Sequence, residues 1–143
     1  MDLVGATLSQ RALNRALLQR QFLLRREKRS VVETIEHLVG MQAQVPGNPY
    51  IGLWSRLDEF QPEQLSQLIA ERRAVRTTVM RTTIHLVSAD DCLKLRPLMQ
   101  PLMVQTLSHT AWGLNIAGIQ TAELTAAGRR LLQAVCAGYV GRG

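Results

Sequence analysis

VRTTVMRTTIHLVS, residues 75–88, is the stretch on which the reading of this sequence turns. Two short runs, Val75 to Met80 and Thr83 to Ser88, are rich in Val, Thr and Ile, the β-branched residues that fit a pleated surface. Only Arg81-Thr82 separates them, so the spacing predicts an antiparallel hairpin, although no Asn-Gly or Asp-Gly fixes its turn type.

Upstream of that ribbon the periodicity is helical. Ser9 precedes a run in which Leu13, Ala16, Leu17, Phe22 and Leu24 recur at roughly helical spacing, which predicts a first helix with its arginines on the outer face. Ser30 followed by Glu33 is a capping-box pattern for a second helix, with Val32, Ile35, Leu38 and Val39 as its buried stripe and Gly40 as its end. Pro49 to Leu57 reads as a third helix with Ile51, Leu53, Trp54 and Leu57 apolar. Pro62 opens a fourth, whose Leu65, Leu68 and Ile69 turn inward. Downstream, Ser88 or Asp90 caps a helix that stops or kinks near Pro97, or resumes through Leu98 to Leu107. Gly113 to Gly118 reads as a loop, and Thr121 or Thr125 starts a last helix carrying Leu124, Leu131, Leu132 and Val135. The fold class is therefore α+β, mostly α with a small β-hairpin. Helices followed by a two-stranded ribbon is the order of a winged helix-turn-helix.

With 143 residues, 46% of them apolar, the chain can build one ordinary domain or two very small ones, and it is not a disordered segment. Its net charge of +6 favours a polyanionic partner. Seven of the bases and two acids fall between residues 1 and 30, so five of the six net charges lie there. Fifteen of the 17 bases are Arg, the planar cation suited to forked phosphate contacts; a GC-rich coding bias would also enrich Arg. Cys92 and Cys136 stand far apart with no CxxC and no ligand-spaced partner, which argues against zinc or another metal site. Met1 to Ser9 has neither the basic start nor the apolar run of a secretory signal, and no stretch reaches the about 18 consecutive apolar residues of a membrane span. These features predict a cytoplasmic protein with free thiols, bound to no membrane. The oligomeric state is not legible.

Gly40-Met41-Gln42-Ala43-Gln44-Val45-Pro46-Gly47 lies between two helices and is bounded by residues that interrupt regular structure. In extended backbone, residues two apart point the same way, so Gln42 and Gln44 project together while Ala43 turns to the core. On spacing alone the pair reads first as two solvated glutamines in a loop.

Three strings, LNRALLQRQFLLRRE (13–27), HLVGMQAQVPGNPYIGLWSRL (37–57) and VRTTVMRTTIHLVSADD (75–91), resemble the winged-helix DNA-binding family that includes the AlkZ-like and YcaQ-like DNA glycosylases. The resemblance runs over about residues 8 to 135. It implies a catalytic Gln-x-Gln motif, which Gln42-Ala43-Gln44 matches in its AlkZ-like form, and a double-stranded DNA substrate carrying N7-alkylated or cross-linked purines, with no cofactor. It also implies a winged-helix domain over 1–90 and, over 91–143, a connecting helix and the truncated start of a second winged-helix unit, so that the chain is the amino-terminal part of a longer protein. The alternative is a non-catalytic DNA-binding or regulatory module.

Other residues carry two readings each. The family string ends in a similar Thr-x-His, which implies a substrate-side role for His85; an ordinary strand histidine is the other reading. Arg76 and Arg81 flank the hairpin as phosphate contacts or as solvated arginines. Arg15, Arg25 and Arg26 belong to the basic amino-terminal segment that would face DNA. Trp54 and Trp112 read as core anchors rather than base-stacking platforms.

Overall fold

The computed structural model describes residues 7–116 and 118–140, without the side chains at 108, 112 and 135–140. The expectations for Trp112, Val135 and Cys136 therefore fall on side chains outside the described residues. The chain divides into two compact units, the first ending at Met103 and the second beginning at Val104.

Helix α1 (Gln10–Arg20) starts where Ser9 accepts the Ala12 N–H at 3.2 Å. It ends because Phe22 adopts a left-handed conformation, φ 55°, and turns its ring into the protein. There the ring stacks on His37, with centroids 4.0 Å apart, and carries the Arg29 guanidinium on its other contact at 5.1 Å. The predicted buried stripe of α1 is not buried: no residue of the helix is, and Leu17 is 60% exposed. Apolar periodicity shows that a face could be covered, and among the described residues nothing buries it.

Helix α2 (Val31–His37) forms as its capping box requires. The Glu33 carboxylate accepts the Ser30 N–H and hydroxyl, both at 2.9 Å, while Ser30 Oγ accepts the Glu33 N–H at 3.2 Å. Its buried face is Val31, Thr34 and Ile35. Val32 and Leu38 are only partly covered, and Val39 is exposed with φ 57°, one residue before the chain reverses at Gly40.

A three-stranded antiparallel sheet follows in the order β1-β3-β2, one strand more than the sequence predicts. Strand β1 (Met41–Gln42) is two residues long, too short to carry a periodicity. Strand β3 (Ile84–Ser88) lies in the centre, pairing Met41 with Leu86 and Gln42 with His85 on one side. On its other side β2 (Ala74–Thr78) pairs Arg76 with Leu86 and Thr77 with His85. The link between β2 and β3 is a 3-10 turn over Met80–Thr82, with Arg81 and Thr82 both left-handed at φ 53° and 55°; β2 stops at Thr78, short of the predicted Met80.

Helices α3 (Asn48–Trp54) and α4 (Pro62–Ala70) pack against this sheet. The core joins Val31 and Ile35 of α2, Met41 and Ala43, Leu53 and Leu57, Leu65 and Leu68, and Leu86. Ile51 and Trp54, predicted to be inward, stand outward at 67% and 57% exposure. The helical phase that buries Pro49 and Leu53 points both of them away. Ile69 is likewise at the surface.

Helix α5 (Ala89–Ser108) begins where Ser88 Oγ accepts the Asp91 N–H at 3.2 Å, and runs through Pro97 and Pro101 instead of stopping. Leu93 and Pro97, the residues one turn before each proline, are exposed, so water can take their freed carbonyls. Helix α6 (Ala111–Asn115) occupies the first part of the predicted loop, and α7 (Thr121–Val140) begins at Thr121. The first unit thus has the helix and strand order of a winged-helix-like α+β fold, with β1 added to the ribbon.

Candidate functional site

The Gln42-Ala43-Gln44 segment is the exit of β1. Ala43 is fully buried while both glutamines are exposed, the alternation an extended chain imposes. Gln42 sits directly opposite His85, and His85 opposite Thr77, so the three share a row on one face of the sheet.

At Ala43 the ladder changes partners. The Ala43 N–H still donates to the Ile84 carbonyl at 2.8 Å. The Ile84 N–H donates instead to the side-chain oxygen of Gln44, at 3.3 Å. The Ala43 carbonyl, released from β3, accepts from Nη2 of Arg76 at 2.9 Å. Because a backbone N–H needs an acceptor, Gln44 must turn its oxygen to the sheet, which leaves its amide NH2 facing out. The two glutamines are thereby unequal. Gln42 has no side-chain hydrogen bond among the described residues, whereas Gln44 has its oxygen engaged by Ile84 and its NH2 uncommitted.

His85 is half-buried, with Nδ1 3.0 Å from the Thr83 carbonyl. A carbonyl can only accept, so Nδ1 carries the proton and Nε2 is an acceptor whenever the ring is neutral.

The cations expected to meet DNA are less uniform than their charge suggests. Arg15 is exposed on α1 and Arg81 is exposed in the β2–β3 turn. Arg25 pairs with Glu27 at 3.3 Å, an exposed contact of small energetic consequence. Arg26 lies over the Trp54 ring, 4.4 Å from its centroid, so the tryptophan expected in the core is the floor of a surface cation–π pair. Arg76 spends one donor on the protein's own backbone. A depression of about 500 Å³ is lined by Arg25 to Arg29 with Glu33 and Asp58, and it includes none of Gln42, Gln44 and His85.

One basic residue that sequence reasoning passed over is structural. Arg56 donates from Nε to the Gln21 carbonyl at 2.9 Å and from Nη1 to the Gly52 carbonyl at 2.8 Å, tying the basic segment to α3. Partial burial lowers its pKa without discharging it. The only signal for this in the sequence is an arginine inside the apolar run of the third helix. By contrast α4 presents Glu63, Gln64 and Gln67 and carries no base, and it is followed by Glu71, Arg72 and Arg73.

Among the described residues no cluster of three His, Cys, Asp or Glu side chains is placed to hold a metal ion, and no helix is long and apolar enough to cross a membrane. The chemistry at the exit of β1 is that of neutral dipoles: one free amide, one amide donor and one imidazole acceptor.

The model of the AlkZ-like DNA glycosylase family matches residues 35–136. A solved structure similar to this chain is the Streptomyces sahachiroi DNA glycosylase AlkZ, 31% identical, with a TM-score of 0.46. That match takes in 50% of this chain and 19% of the other, so this chain spans about a fifth of the length of the solved protein. Comparison with curated proteins gives no match.

Proposed function

The chain belongs to the AlkZ-like DNA glycosylase family, and from that premise we propose that it binds double-stranded DNA and hydrolyses the glycosidic bond of N7-alkylated or cross-linked purines, with Gln42 and Gln44 as the catalytic pair. The observation that carries the reading is the inequality of the two amides: a rigid strand exit presents one uncommitted carbonyl and one oriented NH2 at adjacent exposed positions.

A purine alkylated at N7 already bears a positive charge, so the bond from the sugar C1′ to N9 breaks without a strong acid. The bonding electrons leave with the base, which becomes neutral, and the sugar acquires oxocarbenium character. Water then adds its oxygen to C1′ and releases one proton. In this reading the Gln42 carbonyl accepts a hydrogen bond from that water and lowers the energy of the nearby cation, work that fixed dipoles perform without reorganising. The Gln44 NH2, held by Ile84, is the complementary donor and fixes the position of the water. His85, opposite Gln42 with Nε2 open, lies on the substrate side of the same row and is suited to receive the proton. No cofactor is required, because the leaving group is already activated. A lesion base must leave the stack to reach such a site, at a cost smallest for a damaged pair.

Arg15, Arg25, Arg26 and Arg81 would supply phosphate contacts, and the protein would act on DNA in the cytoplasm. Residues 1–90 would form the catalytic winged-helix domain, and residues 91–143 the connecting helix and start of a second unit.

The test is duplex DNA with a single N7-methylguanine, treated with alkali after incubation with the protein. Strand scission at the lesion that disappears in Gln42→Ala supports the proposal. Absence of scission with salt-sensitive binding retained replaces it with the alternative, a DNA-binding module without catalysis, and absence of both overturns the DNA reading.

A further inference from the structure

Arg76 stands in a row with Leu86 and Met41, two residues of the core, on the edge strand β2. Arg76 itself is exposed at the sheet edge, yet its guanidinium is committed to the backbone. Its guanidinium ends on the Ala43 carbonyl, having passed beyond the central strand to the exit of β1. It belongs to none of the ion pairs formed by the described residues. The hydrogen bond is charge-assisted, about twice as strong as one between neutral groups.

We infer that Arg76 is the positioning residue of the Gln42-Ala43-Gln44 turn: it takes the Ala43 carbonyl away from β3, so that Gln44 can occupy the Ile84 N–H and keep its NH2 outward. The exchange of partners is consistent at every atom. The Ile84 N–H can have the Gln44 oxygen as its acceptor because the Ala43 carbonyl has gone elsewhere, and that carbonyl is satisfied because a long cationic side chain reaches it. Without Arg76 the carbonyl returns to the Ile84 N–H, the ladder runs one residue further, and Gln44 is released to rotate. The proposal rests on the glycosylase reading for its catalytic consequence but not for its structural one.

The experiment compares the wild type with Arg76→Met and Arg76→Lys, following excision at saturating DNA, DNA affinity against salt, and amide hydrogen exchange. Positioning predicts that Arg76→Met slows excision by about 10- to 100-fold, since a misplacement near 1 Å has that scale of effect, while affinity and its salt slope stay as they were. Arg76→Lys, which keeps a cationic donor of similar reach, recovers most of the rate. A phosphate-binding Arg76 would do the reverse, weakening affinity, lowering the salt slope by about one and leaving the saturated rate intact, and that result overturns the inference. Should the wild type release no base, the glycosylase reading fails and exchange alone decides. Slower exchange of the Ile84 amide in Arg76→Met, as it regains the Ala43 carbonyl, with Leu86 and Val87 unchanged, sustains the positioning role. An Ile84 rate that is unchanged or faster, or a general acceleration across the sheet, overturns it. If Arg76→Met does not fold, Arg76→Gln, whose donor falls short of Ala43, gives the same comparison.

Discussion

The side-chain oxygen of Gln44 accepts the backbone N–H of Ile84 at 3.3 Å, standing in for a strand carbonyl where β1 leaves the sheet. Stability and chemistry separate at this bond. Gln44→Leu leaves the Ile84 N–H without its acceptor and is expected to cost about 0.5–1.5 kcal/mol in denaturant unfolding, nearer the lower figure because the bond is long and the site is not fully buried. Gln44→Glu keeps an acceptor for Ile84 and is expected to preserve stability within about 0.5 kcal/mol, yet it has no outward N–H. Excision should be lost in both variants, and a Glu variant with wild-type excision would show that the donor edge has no part in the reaction.

Gln42 behaves differently because it lies within strand β1, opposite His85, and its side chain is exposed. Gln42→Ala is expected to unfold within about 0.5 kcal/mol of the wild type, as surface substitutions usually do. Its excision of N7-methylguanine, measured by alkaline scission, should nonetheless disappear. A coupled fall in melting temperature and activity would instead mark Gln42 as a folding residue.

Two glycines on either side of this segment differ in what a methyl group would meet. At Gly40, φ is 105° and a Cβ would lie 2.7 Å from Val87 Cγ1 and 3.1 Å from the Leu86 carbonyl oxygen, both held in the sheet. Gly40→Ala combines backbone strain with overpacking and is expected to cost about 2–4 kcal/mol. At Gly52 a Cβ would strike the terminal methyl of Met41, the free end of a flexible side chain. Gly52→Ala should therefore cost less than Gly40→Ala, and thermal melting of the two variants side by side checks the order.

The elements legible in the sequence were those whose signal is local. Ser30 and Glu33 announce a helix start because the capping bonds close within four residues. Val75 to Ser88 announces a ribbon because β-branched residues cluster there. What escaped depends on partners far along the chain. Strand β1 exists because Met41 and Gln42 meet Leu86 and His85 more than 40 residues away. The outward turn of Trp54 is set by which face of α3 meets the core, and its apolar character pointed the other way. Likewise the residue types at 42 and 44 suggested a pair acting together, while the bond from Ile84 that makes them unequal has no trace in the spacing. Arg76 was legible as a cation and not as a support for Ala43, since 33 residues separate them.

The Ser30–Glu33 box also sets a pH dependence. Hydrogen bonds from the Ser30 backbone, then from its hydroxyl, hold the Glu33 carboxyl below its ordinary pKa, with Arg29 adding a weaker electrostatic pull in the same direction. A carboxylate whose pKa is lower in the folded state stabilises the protein at pH values above its unfolded pKa, about 4.3 for glutamate. As pH falls through the folded value, the proton that binds there removes the acceptor for the Ser30 N–H, and this contribution is lost. Unfolding midpoints measured from pH 7 down to pH 3 should therefore fall less steeply in Glu33→Gln than in the wild type, because the amide keeps an acceptor that does not titrate. Ser30→Ala removes the hydroxyl that caps the Glu33 N–H, and is expected to cost about 1 kcal/mol at neutral pH. Identical acid profiles for Glu33→Gln and the wild type would mean that the carboxylate makes no pH-dependent contribution to the start of α2.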